Sequence, residues 1–446
     1  MKQERFFRTV CYLAIPVALQ SLLQASFGVI DQIMIGQLGS VDVAAVGLVG
    51  KFTGIFTVMV SAVSTVAGIM ISQYLGQRNH DEVRSSLTVN ILAAVGLAIL
   101  FTVMCIMLPT QIIGLYTQDG AIIIAAARYM TIVAGTFLPA AIATLLSTLL
   151  RCMEMASLPL YASFIAAILN TSLNYLLIFG KCGLPAMGVT GAAIATVIAQ
   201  AVNFLLILLL YWKHRNSLET SPKTDRPEGR FNWPQYVSML LPILICEFMW
   251  SLGENVYAAI YGHLGTNATA AMTLLNPIQS LVIGALSGLS QAAGVIVGKL
   301  LGRGDRNEAY TASKKLILYG FVGSLFLSII VILMRPLYVA IYQVEAEVML
   351  LTGQIMISYA LVAPFKVQNM IVGGGIIRSG GKTTYVMVID LIGTWIFGVP
   401  LGLMAAFVFH LTIPYVYFIL SLEECIRFGI SLIVLRRKNW MNCLKS

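Results

Sequence analysis

Four acidic residues stand where acids are expensive. Asp31, Glu247, Glu254 and Asp390 lie well inside long apolar runs, and a carboxylate at the centre of a membrane span costs roughly 2.5–3.5 kcal/mol on insertion scales. Such a group is retained for what it binds. Asp31 has polar company in other runs. Asn170 and Asn174 are four apart and so share one helical face, and Thr196 closes the small-residue stretch Gly191-Ala-Ala-Ile-Ala-Thr196, which permits close helix packing. One carboxylate, two carboxamide oxygens, a hydroxyl and backbone carbonyls would suit Na⁺. The same carboxylate, taken out of water, could carry a proton instead. Either way Asp31 would be a coupling site; the competing role for Asn170, Asn174 and Thr196 is packing by hydrogen bonds.

A second set lies further along the chain. Glu247 and Glu254 are seven apart, two turns of one helix, and with Asp390 they could form a C-terminal polar site. Alternatively they pair with Lys366 or with backbone. Glu423 and Glu424 fall in the last apolar run, where Glu423 can pair with Arg427 four residues on. An acidic face beside 20 methionines and many aromatics would suit lipophilic cations, although both residue types are common fillers of any membrane core.

The elements that must hold these residues follow from composition. Of 446 residues, 58% are hydrophobic and 11% charged, against roughly 25% charged in soluble domains. Mean hydropathy is +0.86. Soluble domains and disorder are excluded, and continuous apolar runs exclude a β-barrel. Seven scattered cysteines, with no Cys-x-x-Cys, support neither a disulfide framework nor a zinc site. No phosphate-binding Gly-rich loop and no nucleophile–base set appears, so neither ATP-driven transport nor an enzyme is expected.

Twelve spans are predicted, with cores at 10–38, 44–76, 87–108, 121–150, 156–180, 188–212, 236–262, 268–301, 313–334, 348–377, 384–405 and 412–434. With the N-terminus inside, 23 of the 28 basic residues fall in cytoplasmic segments, among them Arg151, Arg378 and Arg427. Lys51, Lys181 and Arg335 fall outside, and Arg128 and Lys366 within spans. This asymmetry orients the chain with both termini cytoplasmic. It also accounts for the net charge of +9 without a nucleic-acid partner.

Residues 16–83 align with 242–309 at an unbroken offset of 226, with 14 of 68 positions identical. The matches are helix-punctuating residues: Pro16 with Pro242, Gly36 with Gly262, Leu75-Gly76 with Leu301-Gly302. Asp31 falls opposite Tyr257. Six spans per half make the repeat parallel, so the expected fold is all-α and polytopic. It has two six-helix bundles related by a pseudo-two-fold axis along the membrane normal. The N-terminal lobe spans 1–212, a cytoplasmic linker 213–235 and the C-terminal lobe 236–446.

The segments Asp31-Gln-Ile-Met-Ile-Gly-Gln-Leu-Gly39, Ala44-Ala-Val-Gly47, Asn170 to Asn174, Gly188-Val-Thr-Gly-Ala-Ala-Ile-Ala-Thr196, Arg378-Ser-Gly-Gly-Lys-Thr383 and Asp390 to Pro400, in that order, resemble the multidrug and toxic compound extrusion (MATE) family. The resemblance covers nearly the whole chain. It implies a cell-membrane antiporter that expels organic cations or amphipathic drugs in exchange for H⁺ or Na⁺, with membrane lipids as its surroundings and a monomer as its working form. It maps a cation site onto Asp31, Asn170, Asn174, Ala192 (through its carbonyl) and Thr196. Some members carry an aspartate where this chain has Asn174, which leaves the coupling ion open. Glu247 is similar to a seventh-span glutamate of other members, though its spacing to the following Leu-Gly differs. The substrate-side residues would be Glu247, Glu254, Tyr257 and Asp390. A lipid-linked oligosaccharide flippase of the same superfamily is the rival reading; it would line its cleft with more arginines.

Overall fold

The structure, a computed structural model, describes residues 3–183, 185–215, 231–342 and 344–444. Among these residues every regular element is helical. Of the expected linker, residues 216–230 lie outside the described residues, as do Lys2 and Lys445.

The spans are α1 (Gln3–Gly36), α2 (Ser40–Gln77), α3 (His80–Met107), α4 (Gly120–Cys152), α5 (Ser157–Phe179) and α6 (Val189–His214). The second series is α7 (Trp233–His263), α8 (Thr266–Gly302), α9 (Arg306–Ala340), α10 (Ala346–Ile377) and α11 (Thr383–Val408). These eleven are long and apolar enough to cross a membrane. The twelfth, expected as one run over 412–434, is broken at Leu422 into Ile413–Ser421 and Glu423–Arg437; together they are α12.

Several helices outrun their apolar cores, because polar residues cap them. The Asn79 side chain accepts the backbone N–H of Glu82 at 3.3 Å, and Asn232 that of Gln235 at 3.1 Å. Such caps satisfy donors that a helix N-terminus leaves open. The outward faces are apolar: Leu92, Ile99, Val103 and Met107 of α3, and Phe326, Leu333 and Leu337 of α9, are all exposed. Apolar surface on this scale fits lipid as the solvent.

The chain packs as two compact units. One comprises Leu19–Ile71 and Arg78–Phe231; the other comprises Met1–Ala18, Ser72–Gln77 and Asn232–Ser446. The start of α1 and the end of α2 thus pack with the C-terminal series. Gly288 lies against the backbone of Ala14, and Gly302 against that of Gln73, where any Cβ would collide. Within the first unit, Ala143, Leu146, Leu150, Ala162 and Ile207 form a core shared by α4, α5 and α6. In the second, Tyr257, Ile260, Leu275, Met356, Tyr359 and Leu420 knit α7, α8, α10 and α12 together.

Two helices of the second unit carry widened turns, at Met370–Ile377 in α10 and at Ile392–Gly398 and Met404–Val408 in α11. An i→i+5 turn inserts a residue and re-aims the side chains around it, and such turns are frequent at functional sites. Asp390 lies two residues before one of them, and Arg378 directly follows another.

Candidate functional sites

Each unit holds one polar site inside its apolar body. In the first, the sequence-predicted residues come together. The Asn174 amide donates to Asp31 Oδ1 at 2.7 Å and to Asn170 Oδ1 at 3.3 Å. The Thr196 hydroxyl donates to the Ala192 carbonyl at 2.9 Å and accepts a long 3.5 Å contact from Asn170. Close packing of α5 on α6 makes this possible. A Cβ at Gly191 would sit 2.7 Å from the Leu177 carbonyl carbon, so only glycine lets the two backbones meet. Asn170 and Asn174, one turn apart on α5, then face Ala192 and Thr196, one turn apart on α6.

Two features of this site bear on cation binding. Asn174 is buried, and its Oδ1 has no hydrogen-bond partner. A buried acceptor left unpaired costs about 1–3 kcal/mol, so an oxygen is available to a ligand. The Asn170 amide fits in two ways. With its nitrogen toward Asp31 it donates to both carboxylate oxygens, at 2.9 and 3.0 Å. In the other orientation its oxygen faces that carboxylate, which is tolerable only with a proton or cation between them. A set of one carboxylate, two carboxamides, a hydroxyl and a carbonyl therefore fits either ion. Buried Tyr129 of α4 lies within electrostatic reach of Asp31; sequence spacing offered no signal for it.

The second unit's site is denser than predicted. Glu247, Glu254, Tyr257 and Asp390 all line its cavities, one of about 290 Å³ and one of about 570 Å³. Glu247 pairs with Arg378 at 3.3 Å rather than with Lys366. Asp390 pairs with Arg427 and accepts the Cys246 thiol at 2.8 Å. The expected Glu423–Arg427 pair is replaced: Arg427 takes Glu424 at 3.4 Å, while Glu423 accepts the Tyr257 hydroxyl at 2.7 Å. Consecutive residues of a helix point about 100° apart, so Glu423 and Glu424 face different partners. Asn369 donates to Glu424 Oε2 at 2.7 Å. Glycines of α11 make room: a Cβ at Gly393 would strike Arg427, and one at Gly398 would strike Tyr257 and Glu423.

The charge pattern puts Arg378 and Arg427 in cytoplasmic segments and leaves Arg128 and Lys366 as the in-span cations. The structure turns both arginine side chains inward, leaving them 13% and 11% exposed. Their nearness to polar stretches hid them. The usable signal was the matching excess of acids in the same spans, since buried charges are paired.

Comparison with known proteins agrees with this architecture. The MatE family profile matches twice, over residues 16–176 and 242–404. The two matches begin at Pro16 and Pro242, the offset of the internal repeat. A probable multidrug resistance protein NorM of Agrobacterium fabrum is 29% identical over 316 residues, covering 69% of this chain and 66% of that protein. One of Thermotoga maritima is 23% identical across 90% of this chain and 85% of the relative. Multidrug and toxin extrusion protein 2 of mouse is 25% identical across 96% and 74%. Among solved structures, a MATE in complex with MaL6 superposes with a TM-score of 0.88 at 16% identity, covering 99% of both chains. An outward-facing multidrug resistance MATE family transporter gives 0.86 at 17%, covering 98% and 99%. The chain belongs to the MatE family of multi-pass membrane transporters, the family of multidrug efflux proteins.

Proposed function

We propose that this protein is a secondary antiporter of the cell membrane that expels organic cations or amphipathic drugs in exchange for H⁺ or Na⁺. Asp31 is the coupling group, with Asn170, Asn174, the Ala192 carbonyl and Thr196 as its companions. The observation that carries this reading is the unpaired Asn174 Oδ1 beside Asp31. It leaves an unspent oxygen next to a lone carboxylate. A Na⁺ would collect both, along with the Asn170 oxygen. A proton on Asp31 would instead be donated to the Asn170 oxygen. In both cases the Asn170 amide turns with occupancy, so one ion at a time changes the hydrogen bonds between α1 and α5.

Lobes 1–212 and 236–446 are the bodies we assign to alternating access, with both termini cytoplasmic and the monomer as the working unit. In the second unit, Glu247, Glu254, Tyr257 and Asp390 belong to the substrate side. A lipid flippase is not favoured. The two arginines of the C-terminal cavity are engaged by Glu247, Asp390 and Glu424, so they are not free to hold a chain of phosphates. The deciding experiment is reconstitution into liposomes with a fluorescent organic cation, imposing a Na⁺ gradient at fixed pH and a pH gradient without Na⁺. Efflux that follows one gradient names the ion. Efflux that survives dissipation of both overturns the antiport reading.

A further inference from the structure

Away from the two polar sites, one group of cations is assembled without an opposite charge. The Lys314 Nζ lies 4.5 Å from the centroid of the Tyr310 ring, and the Lys438 Nζ lies 4.7 Å from the same centroid. Each ammonium gains a cation–π contact. Sharing one ring also holds the two within the roughly 10 Å over which exposed charges act at 0.1 M salt, so they repel. Among the described residues, neither lysine is in an ion pair within 4.0 Å. Arg436 and Arg437, in the last turn of α12, add to the positive potential beside Lys438. Glu308, the acid nearest to Tyr310 along α9, already has a partner.

Both lysines are fixed in place by the fold. Lys438 ends α12 with φ 58°, a left-handed conformation that glycine adopts freely and that a side chain disfavours. The chain beyond it is anchored. Trp440 is fully buried, its indole N–H donating to the Leu435 carbonyl at 3.2 Å, and the Leu444 N–H donates to Gln73 Oε1 of α2 at 2.8 Å. Lys314 opens the outward stripe of α9: Leu318, Val322, Leu325 and Ile329 follow it at helical spacing, and all four are exposed. An ammonium at the end of such a stripe stands at the level of lipid headgroups, with its stem on apolar surface and its charge toward water. Next to it, Lys315 lies 5.3 Å from the Phe6 ring centroid and, with Asn307, Glu308 and Thr311, lines a cavity of about 210 Å³.

We propose that Tyr310, Lys314 and Lys438 form a headgroup site for an anionic phospholipid, with its phosphodiester between the two ammoniums and an acyl chain along the exposed stripe of α9. One shared anion removes the repulsion between the lysines and leaves each its contact with the ring. The site goes beyond the efflux reading and does not depend on it. Native mass spectrometry tests it on the detergent-purified full chain, titrated with dioleoyl phosphatidylglycerol or with dioleoyl phosphatidylcholine, which has the same acyl chains and no net charge. Phosphatidylglycerol is expected to bind more tightly. A basic residue near the membrane surface contributes about fivefold, so K314Q/K438Q should weaken phosphatidylglycerol about twentyfold and leave phosphatidylcholine within about twofold. K314R/K438R, which keeps both charges, should retain most of the preference. K51Q/K181Q removes the same charge from two exposed lysines elsewhere and should leave both lipids as they were. Equal binding of the two lipids by the native protein, or as large a loss in K51Q/K181Q as in K314Q/K438Q, overturns the proposal. Inorganic phosphate that binds as tightly as phosphatidylglycerol also overturns it, because the acyl chain would then contribute nothing. If K314Q/K438Q does not fold, K314Q alone decides: a loss of about fivefold for phosphatidylglycerol supports the site, and one below about twofold overturns it.

Discussion

The two polar sites solve the same problem in opposite ways. The site around Asp31 has one acid and neutral amides, with no cation in hydrogen-bond reach among the described residues. The site of the second unit has five acids and three cations, two of them in contact ion pairs. A lone carboxylate leaves its charge to be neutralised by something that comes and goes, which is what coupling requires. A compensated network holds its shape whatever is bound, which suits a wall. The first should therefore answer to the ion and the second to folding and substrate.

The largest expected effect is at Asp31. D31N removes the only formal charge of the first site and should reduce gradient-driven efflux to background while leaving protein in the membrane; full efflux by this variant would erase the distinction between the sites. Next is R427M, which leaves half-buried Asp390 and buried Glu424 without their cation. Breaking one side of a buried pair costs about 3–5 kcal/mol, so detergent-solubilised R427M should show a clearly lower melting temperature. Adding D390N and E424Q should restore much of it. If R427M is as stable as the native chain, the second site is not held together as described.

N174A removes a donor to Asp31 and the unpaired oxygen together. At about 1–3 kcal/mol for a buried polar partner, the half-saturating concentration of the coupling ion should rise about tenfold or more. Substrate binding in the absence of a gradient should stay close to native. A change confined to substrate binding would reverse the assignment of the two sites. The smallest effect is expected from Y257F, which deletes one hydrogen bond to Glu423, worth about 0.5–1.5 kcal/mol. It should shift melting slightly and leave ion dependence unchanged.

How much of this was legible in the sequence differs between the sites. Asp31 announced itself as a lone acid in a span, and Asn170 and Asn174 as a four-residue pair on one face. The small residues before Thr196 foretold close packing. The second site was legible only as a list of acids. Their partners depended on which turn of α10 and α12 each cation occupies, and widened turns and the break at Leu422 move those phases off a regular count. Arg378 and Arg427 sit near polar stretches, so position along the chain did not reveal that they turn inward.

By itself the sequence determined the solvent, the helices and the duplication. Low charge content leaves lipid as the only medium for so many apolar runs, and backbone groups in lipid must be satisfied within helices. Pro16 and Pro242 mark the repeat without any coordinates. Only the tertiary structure decided which charges meet. Pairing requires side chains from separate helices to approach within a few ångströms, and that depends on helix phase, on a glycine such as Gly191 or Gly398 where backbones or side chains crowd, and on the competition for each cation. Among the described residues, the Asn174 oxygen without a hydrogen-bond partner and the Glu254 and Lys366 side chains outside any contact ion pair are the outcome of that packing.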